Sequence, residues 1–202
     1  MRVTKAQAQA NRARIVATAS TLFRERGYDG VGVADLMAAA GLTHGGFYKH
    51  FESKAELMAE AAASGLSQAV ASTEGLDVAE FFKRYLSRKH RDARSLGCTM
   101  AALGGDAARQ SDHVKATFAA GIESVLATLG REGAVPGDVD QRSVRAMLIG
   151  MLAQSVGALV LSRSCPDDSS LSDEILKVCR KQVLAPLSSA GATASAHRRS
   201  RR

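Results

Sequence analysis

The sequence predicts an all-α protein of nine helices, and three observations predict it. Apolar residues recur every three or four positions along successive segments, which places them on one face of a helix. Alanine and leucine, which enter helices at low entropic cost, are abundant, whereas proline occurs three times in 202 residues. Residues that start or stop helices stand at the segment ends: Gly27 behind an apolar run, Gly41 at a tight turn, Thr43 and Ser53 ahead of the next runs. With 46% hydrophobic and 23% charged residues, the chain can bury a core beneath a globular surface.

Residues 5–26 form the first helix, with Ile15, Ala19, Leu22 and Phe23 on one face and Arg12, Arg14, Arg24 and Arg26 mostly off it. Val33, Leu36, Met37 and Ala40 make a short second helix. Thr43 caps a third, ending at His50. Ser53 with Glu56 is a capping box that opens a long helix to about residue 72. Residues 77–91 carry Val78, Phe81, Phe82 and Tyr85 on one face. Helices over 98–109 and 112–132 follow, and Pro136-Gly137 breaks the chain. Residues 140–163 are apolar nearly all round and are expected to be buried on most sides. The last helix covers 172–187, and the Ala/Ser/Arg-rich residues 188–202 read as a disordered basic tail.

Positive charge is unevenly placed. Residues 1–54 hold eight Lys/Arg against four acids, residues 55–197 are close to neutral, and the last five residues add four arginines to reach a net +7. A basic end on a near-neutral body is the footprint of phosphate binding, although a soluble protein with an inert basic tail has the same sum. The first residues are polar and basic, so no secretory leader is expected. The longest apolar run, Ala146 to Leu161, contains Gln154 and Ser155 and falls short of the ~20 residues of a membrane span, so no membrane role and a cytoplasmic location are expected. Three cysteines without metal spacing are expected to stay reduced.

The stretch Gly41-Leu42-Thr43-His44-Gly45-Gly46-Phe47-Tyr48-Lys49-His50-Phe51 is small, aromatic and basic. With the helix before it, it has the dimensions of a helix-turn-helix, whose second helix enters the major groove by its N-terminal residues. Thr43 and the adjacent amides would attract phosphate. His44 and Gly46 would face bases, and Gly45 would let the backbone approach DNA. Tyr48 and Lys49 would reach flanking phosphates, beside His50. Lys54 would be free for backbone phosphate, and Gly32 and Val33 at the start of the second helix complete the DNA face. Phe47 and Phe51 would point inward. A plain helical hairpin would also bury those aromatics. Two adjacent glycines, however, cost a helix about 1 kcal/mol each, which a helix pressed against DNA has reason to accept.

The chain resembles the TetR/AcrR family of transcriptional regulators. The resemblance rests on Gly27-Tyr28, Val33-Ala34-Asp35-Leu36, Ala40-Gly41-Leu42-Thr43, Phe47-Tyr48-Lys49-His50-Phe51 and Ser53-Lys54-Ala55-Glu56-Leu57, across roughly residues 10–57. It implies a nine-helix TetR-like fold with an N-terminal three-helix DNA-binding domain and a larger helical domain for ligand binding and dimerisation. It further implies a homodimer through the last two helices, and a ligand that shifts the two reading heads and releases the operator. The division expected is 1–52 for DNA binding, 53–187 for regulation and dimerisation, and 188–202 for the tail. Two positions depart from the pattern. Val31-Gly32 lacks the hydroxyl that often starts the second helix, and Gly46 stands where Thr or Ala is common.

No catalytic constellation is legible, so no enzyme activity, cofactor or metal is expected. The histidines His90, His113 and His197 lack partners at ligand spacing. Cys98 begins a helix after Gly97, where a thiol gains from the helix N-terminus, and Arg91 and Arg94 lie nearby in sequence. Some members of the resembled family sense electrophiles at such a position. A small residue packed beneath the helix is the alternative. Phe81, Phe82, Tyr85, Met100, Leu103, Phe118, Ile122, Met147 and Met151 are candidates for lining a pocket that takes an apolar or electrophilic effector, and equally for filling the core. Gly150 and Gly157 would let two subunits approach closely.

The expected function is therefore a transcriptional regulator, a repressor binding double-stranded palindromic operator DNA as a homodimer and released by a small molecule or electrophile. The alternatives are a small-molecule or redox-sensing protein with weak or nonspecific DNA binding, a nucleoid-type binder, and a helical enzyme.

Overall fold

The computed structural model describes the backbone of residues 4–132 and 140–199, and the side chains of 4–131 and 140–187. Among the described residues there is no strand. Nine α-helices run as α1 Lys5–Arg26, α2 Val33–Ala39, α3 Lys54–Ala71, α4 Val78–Tyr85, α5 Arg88–Asp92, α6 Thr99–Ala107, α7 Asp112–Glu132, α8 Gln141–Arg163 and α9 Ser170–Arg199. A 3₁₀ helix, His44–Lys49, stands between α2 and α3. The expected break at Pro136-Gly137 lies outside the described residues.

The chain divides into two compact units. The first is Met1–Ala69 with Arg94–Glu123. Its core is built on one face of α1, where Ile15, Ala19 and Phe23 have no exposure. Leu36 and Met37 of α2, Phe47, Phe51, and Leu57 and Met58 of α3 join them, and so do Leu103, Ala107, Val114 and Phe118 from α6 and α7. Thr4 starts α1 by accepting the Gln7 N–H at 3.2 Å, and Gly27 ends it at φ +74°. That φ is the left-handed region in which a side chain is strained. Asp106 of α6 completes the joint by accepting the Tyr28 N–H at 3.2 Å.

Arg24, read from spacing as lying off the apolar face, is buried at 7% exposure. It donates to the Ser95 carbonyl at 2.6 Å and to Ser20 Oγ at 2.8 Å. Burial pulls its pKa down, and the neighbouring Cys98 opposes that shift. Gly65 of α3 makes room for this cluster. A Cβ there would collide with Thr99 Oγ1 and stand 2.6 Å from Arg24 Nη1 and 3.1 Å from Ser20 Oγ.

The second unit is Val70–Ala93 with Ser124–Arg202. α8 and α9 pair antiparallel, since Ser162 donates to the Ser172 carbonyl at 2.8 Å and Gln154 to Gln182 at 2.7 Å. Arg163 donates to the carbonyls of His90 and Arg91, which ties α5 to α8. Phe82, Leu86, Val125, Leu129, Leu148, Leu152, Leu159, Leu176 and Val183 are buried.

Three elements differ from expectation. The single helix over 77–91 is two, because Leu86 leaves helical geometry and Ser87 caps a new start by accepting the His90 N–H at 3.2 Å. α9 runs to Arg199, past the expected end at 187 and through residues assigned to a tail, where alanine-rich composition favours continued helix. α8 is not buried on most sides. Ile149, Val160 and Leu161 are 44%, 40% and 59% exposed, and Ala146, Gly150 and Ala153 are open beside them. By length and composition α8 could cross a membrane, yet α9 covers one of its faces and the rest forms a bare stripe.

Gly65→Ala should cost about 1–3 kcal/mol, the usual scale of overpacking. Gly104→Ala in α6, where a Cβ meets nothing within 4 Å, should instead stabilise by up to about 1 kcal/mol. Urea denaturation of the two variants checks the contrast.

Candidate nucleic-acid interface

The short helix His44–Lys49 is the centre of the site. Two glycines and six residues cannot sustain a regular α-helix, so the expected third helix is 3₁₀ instead, with Gly46 N–H donating to the Thr43 carbonyl and His50 N–H to the Phe47 carbonyl, both at 2.9 Å. Gly41 at φ +69° makes the turn that leads to it. Phe47 is fully buried and Phe51 nearly so, their rings stacked with centres 5.6 Å apart. Tyr48 sets its ring edge against Phe47 yet is 71% exposed. Thr43, His44, Gly45 and Lys49 are exposed and His50 is half-buried. Gly32 is exposed, with its N–H donating to Asp35 at 3.1 Å, and Val33 is half-buried against the core.

Several candidates stand differently from their assignment. Thr43 occupies the N-cap position, but its side chain makes no capping bond. Gly46 turns its side-chain direction inward, 3.6 Å from Met37 Cε and Thr43 Oγ1, whereas Gly45 opens onto free space. The outward glycine is thus Gly45, with His44, Tyr48 and Lys49 around it. Lys54 is not free for phosphate: it donates to the Tyr28 carbonyl at 2.6 Å. Ser53 accepts the Glu56 N–H at 3.2 Å, while the Glu56 carboxylate reaches one residue further back than a capping box requires, to the Glu52 N–H at 2.6 Å.

Spacing did not reveal Arg12. Its guanidinium donates to the His50 carbonyl, to Glu56 at 2.8 Å and to Glu60, and lies 4.1 Å from the centre of the Phe51 ring. The one signal for it in the sequence is the Glu56/Glu60 pair, two like charges four residues apart that call for a cation. Its hydrogen bond to Glu56, with that of the Glu52 N–H, holds the Glu56 carboxyl below its ordinary range.

The pocket candidates divide between the units. In the first, Leu103 and Phe118 are part of the core, Met100 is buried and Ile122 is 36% exposed. In the second, Phe81, Phe82 and Tyr85 form an aromatic group with ring centres 4.9 and 5.7 Å apart, Met151 is buried and Met147 half-buried. Cys98 is 5% exposed at the N-cap of α6. Arg91, expected to act on it, is committed to Asp92 at 2.6 Å and Asp173 at 3.0 Å. No group of three metal-ligating side chains occurs among the described residues.

A helix, a glycine turn and a second short helix that buries its aromatics and presents His44, Tyr48 and Lys49 outward have the arrangement of a helix-turn-helix. Residues 15–61 match the family described as bacterial regulatory proteins, tetR family. The HTH-type transcriptional regulator TtgR of Pseudomonas putida is 43% identical over 58 residues, which is 29% of this chain and 28% of that protein. The probable HTH-type transcriptional regulator ArpR of Pseudomonas putida matches to the same extent. The match therefore spans little more than a quarter of these relatives. Among solved structures, the reduced form of Escherichia coli NemR has a TM-score of 0.66 at 19% identity, covering 86% of this chain and 95% of that one. A TetR-family regulator from Cytophaga hutchinsonii has a TM-score of 0.68 at 20% identity, covering 91% and 96%. These likenesses are of fold. Over residues 15–61 the chain is thus similar to bacterial regulatory proteins of the tetR family.

Gly45→Ala and Gly46→Ala should both leave the fold at least as stable, since neither Cβ meets a close contact. Only Gly45→Ala should weaken DNA binding, because only that methyl points outward. Denaturant midpoints and DNA titrations of the two variants check this. A carboxyl held below its ordinary range stabilises the fold at and above that range, and the contribution is lost as pH falls through the lowered value. Acidification to below the ordinary carboxylate range should therefore loosen the Arg12–Glu56 contact, visible as a titration of the Phe51 ring resonances.

Proposed function

We propose that the chain is a repressor that binds a palindromic operator as a homodimer. The observation that carries this reading is the reading helix itself. It keeps His44, Tyr48 and Lys49 exposed while Phe47 and Phe51 fix it to the core. In this reading His44 meets bases, Gly45 brings the backbone close, and Thr43, Tyr48 and Lys49 hold phosphates. Residues 1–52 serve as the reading head and 53–187 as the regulatory and dimerisation part. The homodimer is supported by the stripe on α8 and α9, where Ile149, Val160, Leu161, Leu171 and Val178 are each 40% exposed or more. A contiguous apolar surface of this kind marks an interface. A second copy brings a second reading helix, which matches two-fold symmetric DNA. The cytoplasm, where operator DNA is met, is the corresponding location.

Release by an effector is the second part of the proposal. An apolar ligand would suit the aromatic group Phe81, Phe82 and Tyr85. An electrophile would act at Cys98, whose α6 neighbours belong to the same compact unit as the reading helix. A weaker reading, nonspecific DNA binding, is favoured by Gly45, which removes one side chain from the face that meets bases.

Selection of bound duplexes from a random pool should enrich a two-fold symmetric site. Binding without any enriched palindrome would leave the nonspecific reading. Tyr48→Ala and Lys49→Ala should weaken all sequences alike, whereas His44→Ala should change which bases are preferred. Ile149→Glu with Val160→Glu should yield monomers in sedimentation and lose the selected site. Cys98→Ser should abolish release by an electrophile such as N-ethylmaleimide. Release that persists in the variant excludes Cys98 as the sensor.

A further inference from the structure

We infer that Arg12 is a positioning residue for DNA binding: it holds the C-terminal end of the reading helix from inside the head and does not itself contact phosphate. The inference rests on the reading that His44–Lys49 meets DNA. Arg12 stands in the basic N-terminal segment, and charge alone would assign it to the DNA backbone. Both of its terminal nitrogens donate elsewhere. Nη1 donates to the His50 carbonyl, and Nη2 donates to Glu56 at 2.8 Å and to Glu60. The guanidinium lies over the Phe51 ring at 4.1 Å, and the side chain is 32% exposed.

Each contact has a physical role. The last carbonyls of a helix lack partners within it and carry partial negative charge, so a cation there satisfies one of them. Glu56 and Glu60 are four residues apart on α3 and would repel one another without a cation between them. The planar guanidinium can serve a carbonyl and two carboxylates at once while stacking on an aromatic face, which an ammonium cannot. Glu56 extends the chain of contacts to the Glu52 N–H at 2.6 Å, inside the turn that joins the reading helix to α3. One side chain of α1 therefore fixes both sides of that turn. Phe47 and Phe51 hold the short helix down, and Arg12 holds its end in place.

The test compares wild type with Arg12→Gln and Arg12→Lys on two duplexes across a salt series. One duplex is selected by the wild-type protein from a random pool, and the other is an unselected duplex of equal length. Arg12→Gln should lose about tenfold for the selected duplex, the scale of one lost base contact. Its affinity for the unselected duplex and its salt slope should be unchanged. An arginine on phosphate would weaken both duplexes and lower the slope by about 0.9. That result, or unchanged affinity for the selected duplex, overturns the inference. Arg12→Lys keeps the charge and loses the fork, so it should behave like Arg12→Gln. Full activity in Arg12→Lys would show that charge alone matters and would also overturn it. Adding Glu56→Gln and Glu60→Gln to Arg12→Gln separates the clamp from like-charge repulsion, and recovery of the selected site there counts against the clamp. Without DNA, amide exchange at residues 50 and 51 should rise in Arg12→Gln while Ile15 and Phe23 stay protected. Unaltered exchange at 50 and 51 overturns the clamp even if the wild type binds neither duplex, an outcome that would separately remove the DNA-binding reading.

Discussion

Six residues with two glycines do not form a helix that stands alone, and Phe47 is the side chain that gives this one a fixed place. Its ring has no exposure, stacks on Phe51 and carries the edge of Tyr48. Burying such a side chain stabilises by about 1.5–3 kcal/mol, enough to offset what two glycines cost a helix. The directions of His44, Gly45, Tyr48 and Lys49 all follow from that anchor. So does the inward turn of Gly46, whose place beside Met37 is set by the same packing.

Formal charge and usable charge part company in the first unit. The basic N-terminal segment creates a positive field, but four of its cations have donors engaged within the fold. Arg12 holds the His50 carbonyl and two glutamates, Arg14 reaches the Ala40 carbonyl at 3.5 Å, Arg24 holds the Ser95 carbonyl, and Lys54 holds the Tyr28 carbonyl. In each case a long side chain ends on a backbone carbonyl at the end of a helix or in a loop, where no helical partner exists. Lys49 remains exposed on the reading helix itself. Net charge thus overstates the number of phosphate contacts while describing the field correctly.

The second unit poses the opposite problem, since apolar surface exceeds what one chain covers. α8 gives one face to α9 and leaves another bare, and a helix apolar on most sides then reads in sequence as buried when a single copy leaves much of it open. In the proposed homodimer a second chain covers this stripe, and the small residues Ala146, Gly150 and Ala153 within it leave room for a helix to approach.

Much of this was legible in the sequence because it depends on local chemistry. The limits of α1, α3, α6 and α7 follow from periodicity, caps and glycine stops. The inward aromatics of the reading helix follow from spacing, and the likeness to the tetR family follows from the Gly41–Phe51 stretch and its flanks. Other features came only with the tertiary structure. These are the 3₁₀ form of the reading helix, the separate capping of α5 by Ser87, the inward Gly46, and the engagement of Arg12, Arg24 and Lys54. The reason is physical. Periodicity reports which side of a helix meets a core, but not which distant carbonyl or carboxylate a long cation can reach. Arg12 finds His50, Glu56 and Glu60 across 38 to 48 residues of chain, and only the packing of α1 against α3 brings them within its span.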